Sequence, residues 1–142
     1  LNPKIILAGR KVNDGMPEYF FKKIIKDLKK KKINLKKINF LVLGATFKEN
    51  CNDIRNSKSL ELCEKISKKF KNIDVFDPYI VNNYQKSTKI NFLKKIPGKK
   101  YGVIIVAVKH KFFIELGFDR IKKLLKKDSF FYDIKNVFNS KS

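Results

Sequence analysis

Phe40-Leu-Val-Leu-Gly-Ala-Thr-Phe-Lys-Glu-Asn-Cys-Asn-Asp-Ile-Arg-Asn-Ser57 carries the strongest structural signal in this sequence. It begins as a continuous apolar run that is too short for a helix and is typical of a strand covered on both faces. It ends at Ser57, which, or Asn56 before it, is of a residue type that favours the cap position of a helix. The segment between them, residues 44–57, is dense in polar and charged groups. Open α/β sheets bind ligands at loops that leave the carboxyl ends of parallel strands. We therefore interpret residues 44–57 as the candidate site and call this segment the site loop.

The rest of the chain alternates between helix and strand patterns. Apolar residues at helical spacing predict a helix from a cap at Asn13 or Asp14 to about Lys31, and another after Ser57. Short apolar runs predict strands at 38–43, 73–76, about 89–92, 101–108 and 130–133, with a helix at 118–125 and a short helix within 79–100. Strands that alternate with helices imply parallel crossovers. We therefore predict an α/β fold, a Rossmann-like, doubly wound, mainly parallel sheet preceded by a long helix.

The composition is strongly basic, with 34 Lys and Arg residues against 13 Asp and Glu and a formal net charge of +21. Such a charge favours a polyanion partner. However, nearly all of it is lysine, spread over almost every polar stretch, in a sequence also rich in the Asn, Ile and Phe that AT-rich genes encode. We interpret the lysine excess as solvated faces and consider nucleic acid an unlikely partner. A catalytically silent basic module that binds nucleotide or nucleic acid is the alternative.

Several classes of protein receive no support from the sequence. Cys51 and Cys63 form neither a disulfide framework nor a metal-binding spacing. No signal peptide or membrane-length apolar run is present. We expect no metal site, no membrane partner and a cytoplasmic location. The first residue is Leu1 rather than Met, so the chain is a candidate fragment of a longer protein.

The site loop contains the best ligand-binding candidates. Lys48 and Arg55 together can hold a phosphate, a pyrophosphate or a carboxylate. Arginine is the rarer cation here and provides a planar, bidentate donor, which makes Arg55 informative. The alternative is that Glu49 and Asp53 neutralise the two cations locally.

Other chemically capable residues have simpler interpretations. Gly44 lacks the second and third glycines of a dinucleotide fingerprint, and Asp77 lies far beyond the usual spacing of about 20 residues for its ribose acceptor. We interpret Asp77-Pro78 as a strand terminator and His110 as a loop or capping residue. Cys51 has no base that the sequence places beside it, and Cys63 falls on the apolar face of a helix.

The site loop closely resembles the hallmark of the UDP-glucose/GDP-mannose dehydrogenase family, Gly-x-Ala/Thr-Phe-Lys followed by Asp-x-Arg-x-Ser. Two flanking segments agree with it: Ile6–Met16 resembles the entry to the family's central helix, and Val75–Tyr79 resembles the end of its second strand. Two segments resemble the branch of the family that oxidises UDP-N-acetylhexosamines. They are Phe-Lys-Glu-Asn-Cys at residues 47–51 and Ala-Gly-Arg at residues 8–10.

The resemblance implies that different domains of a longer enzyme bind NAD and the UDP-sugar. Residues 1–32 would be the C-terminal part of a central linking and dimerisation helix, with Asn13 and Asp14 as its supporting pair. Residues 33–142 would be the UDP-sugar-binding domain of an NAD-dependent dehydrogenase that oxidises a sugar's primary alcohol to a uronate for surface polysaccharide biosynthesis. NAD would be bound mainly by an N-terminal domain, and the nucleophilic cysteine would lie upstream. No catalytic residue is then expected in this chain, which alone should be inactive. The implied partners are a UDP-sugar, the N-terminal domain and a second copy.

The family's site residues carry over position by position. Lys48 matches a lysine that contacts the substrate, and Lys135 matches a basic substrate-binding position in a looser context. Arg55 matches an arginine that reaches across the domain cleft towards NAD. Asp53 matches an acid that supports the loop.

Overall fold

The computed structural model describes residues 3–7, 15–80 and 89–138. The elements, in chain order, are β1 (Lys4–Leu7), α1 (Met16–Lys30), β2 (Asn39–Leu43), α2 (Lys58–Ser67), β3 (Asn72–Phe76), β4 (Ile90–Leu93), β5 (Tyr101–Val106), α3 (Lys111–Leu116), α4 (Phe118–Lys122) and β6 (Leu125–Asp133). None of the helices in these ranges is long and apolar enough to cross a membrane.

The six strands form one sheet in the order β1-β6-β5-β2-β3-β4, and every neighbouring pair is parallel. From β2 the chain moves outward to β3 and β4, and it then returns to the other side of β2 to form β5 and β6. The direction of winding therefore reverses between β2 and β5. The predicted doubly wound α/β sheet is confirmed, and its described strands are all parallel rather than mainly so.

The central strand β2 explains why the opening apolar run is continuous. Phe40 and Val42 face a core that also contains the apolar stripes of α1 and α2. Leu41 and Leu43 face a second core, which contains apolar residues of α3 and α4. All four side chains are fully buried. Both faces of the strand are covered by helices, as in parallel sheets generally.

The amino-terminal segment differs from the prediction. The resemblance assigned residues 1–32 to a helical piece, but Lys4–Leu7 form β1, which extends the sheet beside β6. Pairing with β1 satisfies backbone N–H and C=O groups of β6 that would otherwise be unpaired at the side of the sheet. The β-branched Ile5 and Ile6 also favour a strand. The assignment is therefore wrong for Lys4–Leu7. The predicted cap residues Asn13 and Asp14 lie outside the described residues, and the boundary at residue 32 stays a prediction.

Other elements also differ from the prediction, and β5 ends at Val106 rather than at Val108. Leu125 was predicted to end a helix, whereas α4 ends at Lys122 and Leu125 opens β6 opposite Tyr101. Buried leucines at 124 and 125 fit either structure, so the pattern alone is ambiguous there. The short helix α3 was missed. The short helix predicted within 79–100 includes residues 81–88, which lie outside the described residues.

Gly44, the first residue after β2, is required by both conformation and space. Its φ is +98°, and a Cβ there would lie 2.7 Å from the Val108 Cβ and 2.9 Å from the Val108 N. We expect Gly44→Ala to lower the free energy of unfolding by about 2–4 kcal/mol, because backbone strain and overpacking both destabilise the native state. Urea denaturation measures the change. Gly98→Ala is the matched control, since nothing lies within 4 Å of its added Cβ, and we expect a change within about 0.5 kcal/mol. Equal stabilities for the two variants would contradict this account.

Tyr132 gives the fold a testable pH dependence. Its hydroxyl donates to Asp27 Oδ2 at 2.7 Å and joins β6 to α1, and burial raises the pKa of Tyr132 above its ordinary value. A phenol whose pKa is raised by folding contributes stability that is present below about pH 10 and lost as pH rises above it. We expect Tyr132→Phe to destabilise the protein by about 1 kcal/mol at pH 7. The difference in unfolding free energy between the parent and the variant should decrease above pH 10, because the variant has no phenol at position 132 and does not lose this stability. Urea midpoints across this pH range test it, with the exposed Tyr19→Phe as control; a gap that stays constant would refute it.

Candidate functional site

The site loop begins at the topological switch point of the sheet. It leaves the carboxyl end of β2 between β3 and β5, and the backbone continues the ladder on both sides. The Gly44 N–H donates to the Phe76 carbonyl at 2.9 Å, and the Ala107 N–H donates to the Leu43 carbonyl at 2.9 Å. The site loop therefore starts in the crevice where open α/β sheets bind ligands.

Ser57 fixes both ends of the site loop. As predicted, it caps α2: its Oγ accepts a hydrogen bond from the Leu60 N–H at 3.1 Å. The same hydroxyl donates to the Ala45 carbonyl at 2.7 Å. Ser59 adds a second bond, from its hydroxyl to the Gly44 carbonyl. The start of α2 and the end of β2 are thus tied together by two buried hydroxyls.

Asp77, which directly follows β3, holds the first turn of the site loop. Its Oδ2 accepts from the N–H groups of Ala45 at 2.7 Å and Thr46 at 3.2 Å, and its Oδ1 accepts from the Tyr79 N–H at 2.8 Å. In a dinucleotide-binding fold, the N–H groups of the turn after the first strand face a phosphate. Here the protein's own buried carboxylate occupies them. The described residues therefore do not form a dinucleotide-binding turn, and Asp77 is more than the strand terminator that the sequence indicated.

His110 connects a third loop to the same point. Its side chain is completely buried, with Nε2 2.8 Å from Asp77 Oδ2 and 3.2 Å from Thr46 Oγ1. Its Nδ1 accepts from the Asn50 N–H at 3.0 Å, so the neutral ring carries its proton on Nε2 and donates it to Asp77. His110 occupies the cap position of α3, but its ring makes no cap hydrogen bond. Both ring nitrogens are used within the protein, which leaves neither available as a base for a substrate.

Asn50 anchors the tip of the site loop to α3. Its backbone has a positive φ of 56°, a conformation that asparagine tolerates better than most residues. Its side-chain Oδ1 accepts from the Lys111 N–H at 2.8 Å and lies 3.4 Å from the Tyr79 hydroxyl. Asp77, His110 and Asn50 together form one network across the loops that follow β2, β3 and β5, and we call it the clamp.

The two predicted cations of the site loop have different surroundings. Arg55 makes a bidentate pair with Asp53, from Nε to Oδ1 and from Nη2 to Oδ2, each at 3.0 Å. These bonds hold the pKa of Asp53 below its usual value and raise that of Arg55. Among the described residues, the exposed Lys48 makes no ion pair, with Glu49 or any other acid. Local neutralisation therefore applies to Arg55 and not to Lys48.

The remaining predicted residues lie at the same edge or outside it. Lys135 is exposed in the turn after β6, two strands from β2 and therefore about 10 Å away along the sheet. Asp133 before it is buried and accepts from the N–H groups of residues 137 and 138, and burial raises its pKa. Cys51 is half-buried with its Sγ 3.5 Å from the Lys48 carbonyl. Cys63 is a core residue, as predicted, and burial raises its pKa to about 12.

A cavity of about 640 Å³ opens beside the clamp, at the carboxyl ends of β3 and β4. Its lining includes Asp77, three aromatic rings from Phe76, Phe92 and Phe112, and two lysines. The sequence did not reveal it, because residues 79–100 are mostly polar and its walls come from segments far apart in the chain. Aromatic walls suit a flat ring that stacks against them, and the basic groups suit a negative charge attached to such a ring. The described part of the chain contains no group of three or more side chains suited to hold a metal ion.

The clamp can be tested by substituting its acceptor. We expect Asp77→Ala to lower the free energy of unfolding by roughly 3–5 kcal/mol, because it leaves buried donors unpaired. Asp77→Asn should cost less, roughly 1–3 kcal/mol, since an amide keeps one acceptor oxygen but turns an NH₂ towards other donors. Urea denaturation provides the measurement, and Asp53→Asn is the control for losing a carboxylate from an exposed pair. If Asp77→Ala were no more destabilising than Asp53→Asn, the clamp would not hold the loops.

Comparison with known proteins identifies the family. Residues 41–140 match the UDP-binding domain of the UDP-glucose/GDP-mannose dehydrogenase family. The chain is 38% identical over 136 residues to a UDP-N-acetyl-D-glucosamine 6-dehydrogenase from Salmonella typhi, covering 95% of this chain and 32% of the relative. It is 36% identical over 139 residues to the enzyme of the same name from Pseudomonas aeruginosa, covering 97% of this chain and 33% of the relative. The chain thus spans about a third of the length of these relatives.

Solved structures agree on the fold. A UDP-D-ManNAc dehydrogenase from Pyrococcus horikoshii superposes with a TM-score of 0.68 at 22% identity, over 91% of this chain and 29% of that one. The UDP-N-acetyl-mannosamine dehydrogenase Cap5O from Staphylococcus aureus superposes with a TM-score of 0.67 at 21% identity, over 90% of this chain and 29% of that chain. The resemblance inferred from the site loop is confirmed by the sequence matches: this chain belongs to the UDP-glucose/GDP-mannose dehydrogenase family.

Proposed function

We propose that this chain is the UDP-sugar-binding portion of an NAD-dependent UDP-N-acetylhexosamine dehydrogenase, which oxidises the sugar's primary alcohol to a uronate for surface polysaccharide biosynthesis. The family match to a UDP-binding domain and the names of the relatives support this substrate class. The observation that carries the proposal is the clamp. It holds the site loop in place at the switch point and leaves the ammonium of Lys48 directed to solvent.

The clamp also determines how a diphosphate is bound. Asp77 already occupies the N–H groups of Ala45 and Thr46, so phosphate oxygens need side-chain cations instead. Lys48 is the first of these because no acid within the described residues competes for it. Lys135, after β6, is the second, on the opposite side of β5. The nucleoside would enter the aromatic-walled cavity beside Asp77.

NAD fits this chain only at its margin. The described residues form no dinucleotide-binding turn, so NAD is proposed to be bound mainly by a separate N-terminal domain. Arg55 would reach towards it, already oriented by Asp53. The reacting cysteine belongs outside this chain, which alone would not turn over substrate. Pairing of two copies through the central helix that residues 1–32 would end, with Asn13 and Asp14 as its supporting pair, and a cytoplasmic location complete the proposal.

Lys48→Ala tests the diphosphate contact. We expect the chain to bind UDP-N-acetylglucosamine weakly, and the variant to bind it roughly tenfold or more weakly, because a charge-assisted contact to phosphate is lost. An NMR titration of the chain with the nucleotide sugar at millimolar concentrations measures both affinities. Lys100→Ala is the matched control: it removes the same charge from an exposed lysine at the opposite end of the sheet, and we expect it to leave the affinity unchanged.

Each alternative outcome has a distinct meaning. No shifts at millimolar ligand would contradict binding by this chain alone. Shifts that are confined to other loops, or an unchanged affinity for Lys48→Ala, would remove Lys48 from the site. An equal loss with Lys100→Ala would indicate attraction by net charge instead of a site.

A further inference from the structure

The lysine runs that appear scattered along the sequence converge at one end of the folded sheet. In a parallel sheet every strand begins at the same edge, here called the amino edge, opposite the site loop. Lys36 and Lys37 lead into β2, Lys99 and Lys100 lead into β5, and Lys71 precedes β3. All five side chains are exposed.

The helices and β6 add further lysines to the same edge. α1 ends in the run Lys29–Lys32, just before the chain turns into β2. The segment between α2 and β3 begins with Lys68 and Lys69. The pairing of β6 with β5 shifts register between the Tyr101–Leu125 and Val103–Phe130 pairs. The β6 residues within this irregularity include Lys126 and Lys127. These lysines are exposed as well.

Two open grooves show that lysines from distant segments meet there. One, of about 240 Å³, is lined by Lys37, Lys126 and Lys127 together with Gly102. The other, of about 540 Å³, is lined by Lys71, Lys89 and Lys99. Each groove also contains one carboxylate, and each carboxylate is already paired: Asp128 with Lys31 at 3.8 Å and Asp74 with Lys99 at 3.3 Å.

The opposite edge of the sheet is much less basic. Its loops contain both signs of charge, with acids interspersed among the cations at Glu49, Asp53, Asp77 and Asp133. A compositional bias towards lysine on solvated surfaces would load the loops of both edges alike. The dipoles of α1 and α2 favour the lysines at their C-terminal ends, but they do not account for Lys36 and Lys37, which lead into β2, or for Lys99 and Lys100, which lead into β5.

We propose that the amino edge is an electrostatic docking surface for an anionic lipid bilayer, which departs from the expectation, drawn from the lack of a membrane-length apolar run, that the chain has no membrane partner. The lysines come from strand starts and from the ends of α1 and α2, which pack on one face of the sheet, so they cover a platform that is wider than the row of strand starts. The five adjacent strands β6 to β4 alone span about 20 Å. A plane can contact all of this platform at once, whereas a nucleic acid duplex would contact a stripe of it.

The chemistry of the platform favours lipid head groups over nucleic acid. Its runs contain lysine and no arginine, so the bidentate forks that grip phosphates and bases are missing. The large apolar side chains exposed in the described part of the chain are Ile5, Tyr19, Phe47, Phe112 and Ile114. None belongs to the described amino-edge segments, which therefore present no exposed aromatic ring for base stacking. Diffuse attraction by point charges suffices for an anionic bilayer.

Vesicle binding with charge-matched variants tests the proposal. The probe is phosphatidylcholine vesicles with or without 30% phosphatidylserine, sedimented with the 142-residue chain at 0.1 M and 0.5 M salt. We expect binding to the anionic vesicles alone, and weaker binding at high salt. The amino-edge variant carries Lys36, Lys37, Lys126 and Lys127 changed to Gln, and should lose affinity by roughly several hundredfold, since each of the four lysines near the surface contributes roughly fivefold.

The matched control changes four lysines of the opposite edge, Lys94, Lys95, Lys109 and Lys111, to Gln and has the same net charge. We expect it to retain most of the affinity, and thermal melting of both variants checks that they fold. Equal losses in the two variants would overturn the proposal in favour of net charge. Absence of binding to anionic vesicles at 0.1 M salt would overturn it outright. Tighter binding of a 20-base-pair duplex than of vesicles, measured by fluorescence anisotropy in the same buffer, would replace the bilayer with nucleic acid as the partner.

Discussion

The buried carboxylate of Asp77 is the interaction on which the site depends. A charge removed from water is costly unless donors surround it. Asp77 receives hydrogen bonds from three backbone N–H groups and from the ring of His110. These donors come from the loops after β2, β3 and β5, so satisfying one carboxylate requires all three loops to be in place. The sheet supplies the framework, and Asp77 sets the shape of its carboxyl edge.

This arrangement changes how the fold can bind an anion. The switch point of a doubly wound sheet usually offers backbone N–H groups to a phosphate. In this chain those groups donate to Asp77, which accounts physically for the missing glycine fingerprint: glycines that let a phosphate approach the backbone are not needed at a turn whose N–H groups are already occupied. Gly44 alone remains, and it is required by its positive φ and by Val108 rather than by a ligand. Anion binding then falls to side chains at the rim.

The sequence predicted the parts of the fold that depend on local patterns. The continuous apolar runs of β2 and β5 and the Ser57 cap followed from residue type and spacing. The network between Asp77 and His110 did not, because the two residues are 33 positions apart. Their contact depends on strand order, which the pattern of elements leaves open. β1 was missed for a related reason: four residues give too little periodicity, and the partner strand β6 lies more than a hundred residues away.

The distribution of lysine over the surface is likewise not predictable from local sequence patterns, because it depends on how the chain folds. Along the sequence the basic runs are regularly spaced, which argued against a single binding face, but a parallel sheet returns the chain to the same edge before every strand. Regular spacing in sequence therefore becomes concentration in space. The strands of the sheet core are five or six residues long, or about 17–20 Å, which exceeds the screening length of about 8 Å at physiological salt. The two edges are thus electrostatically separate, and the amino edge can attract an anionic surface without competing with Lys48 for a nucleotide at the other.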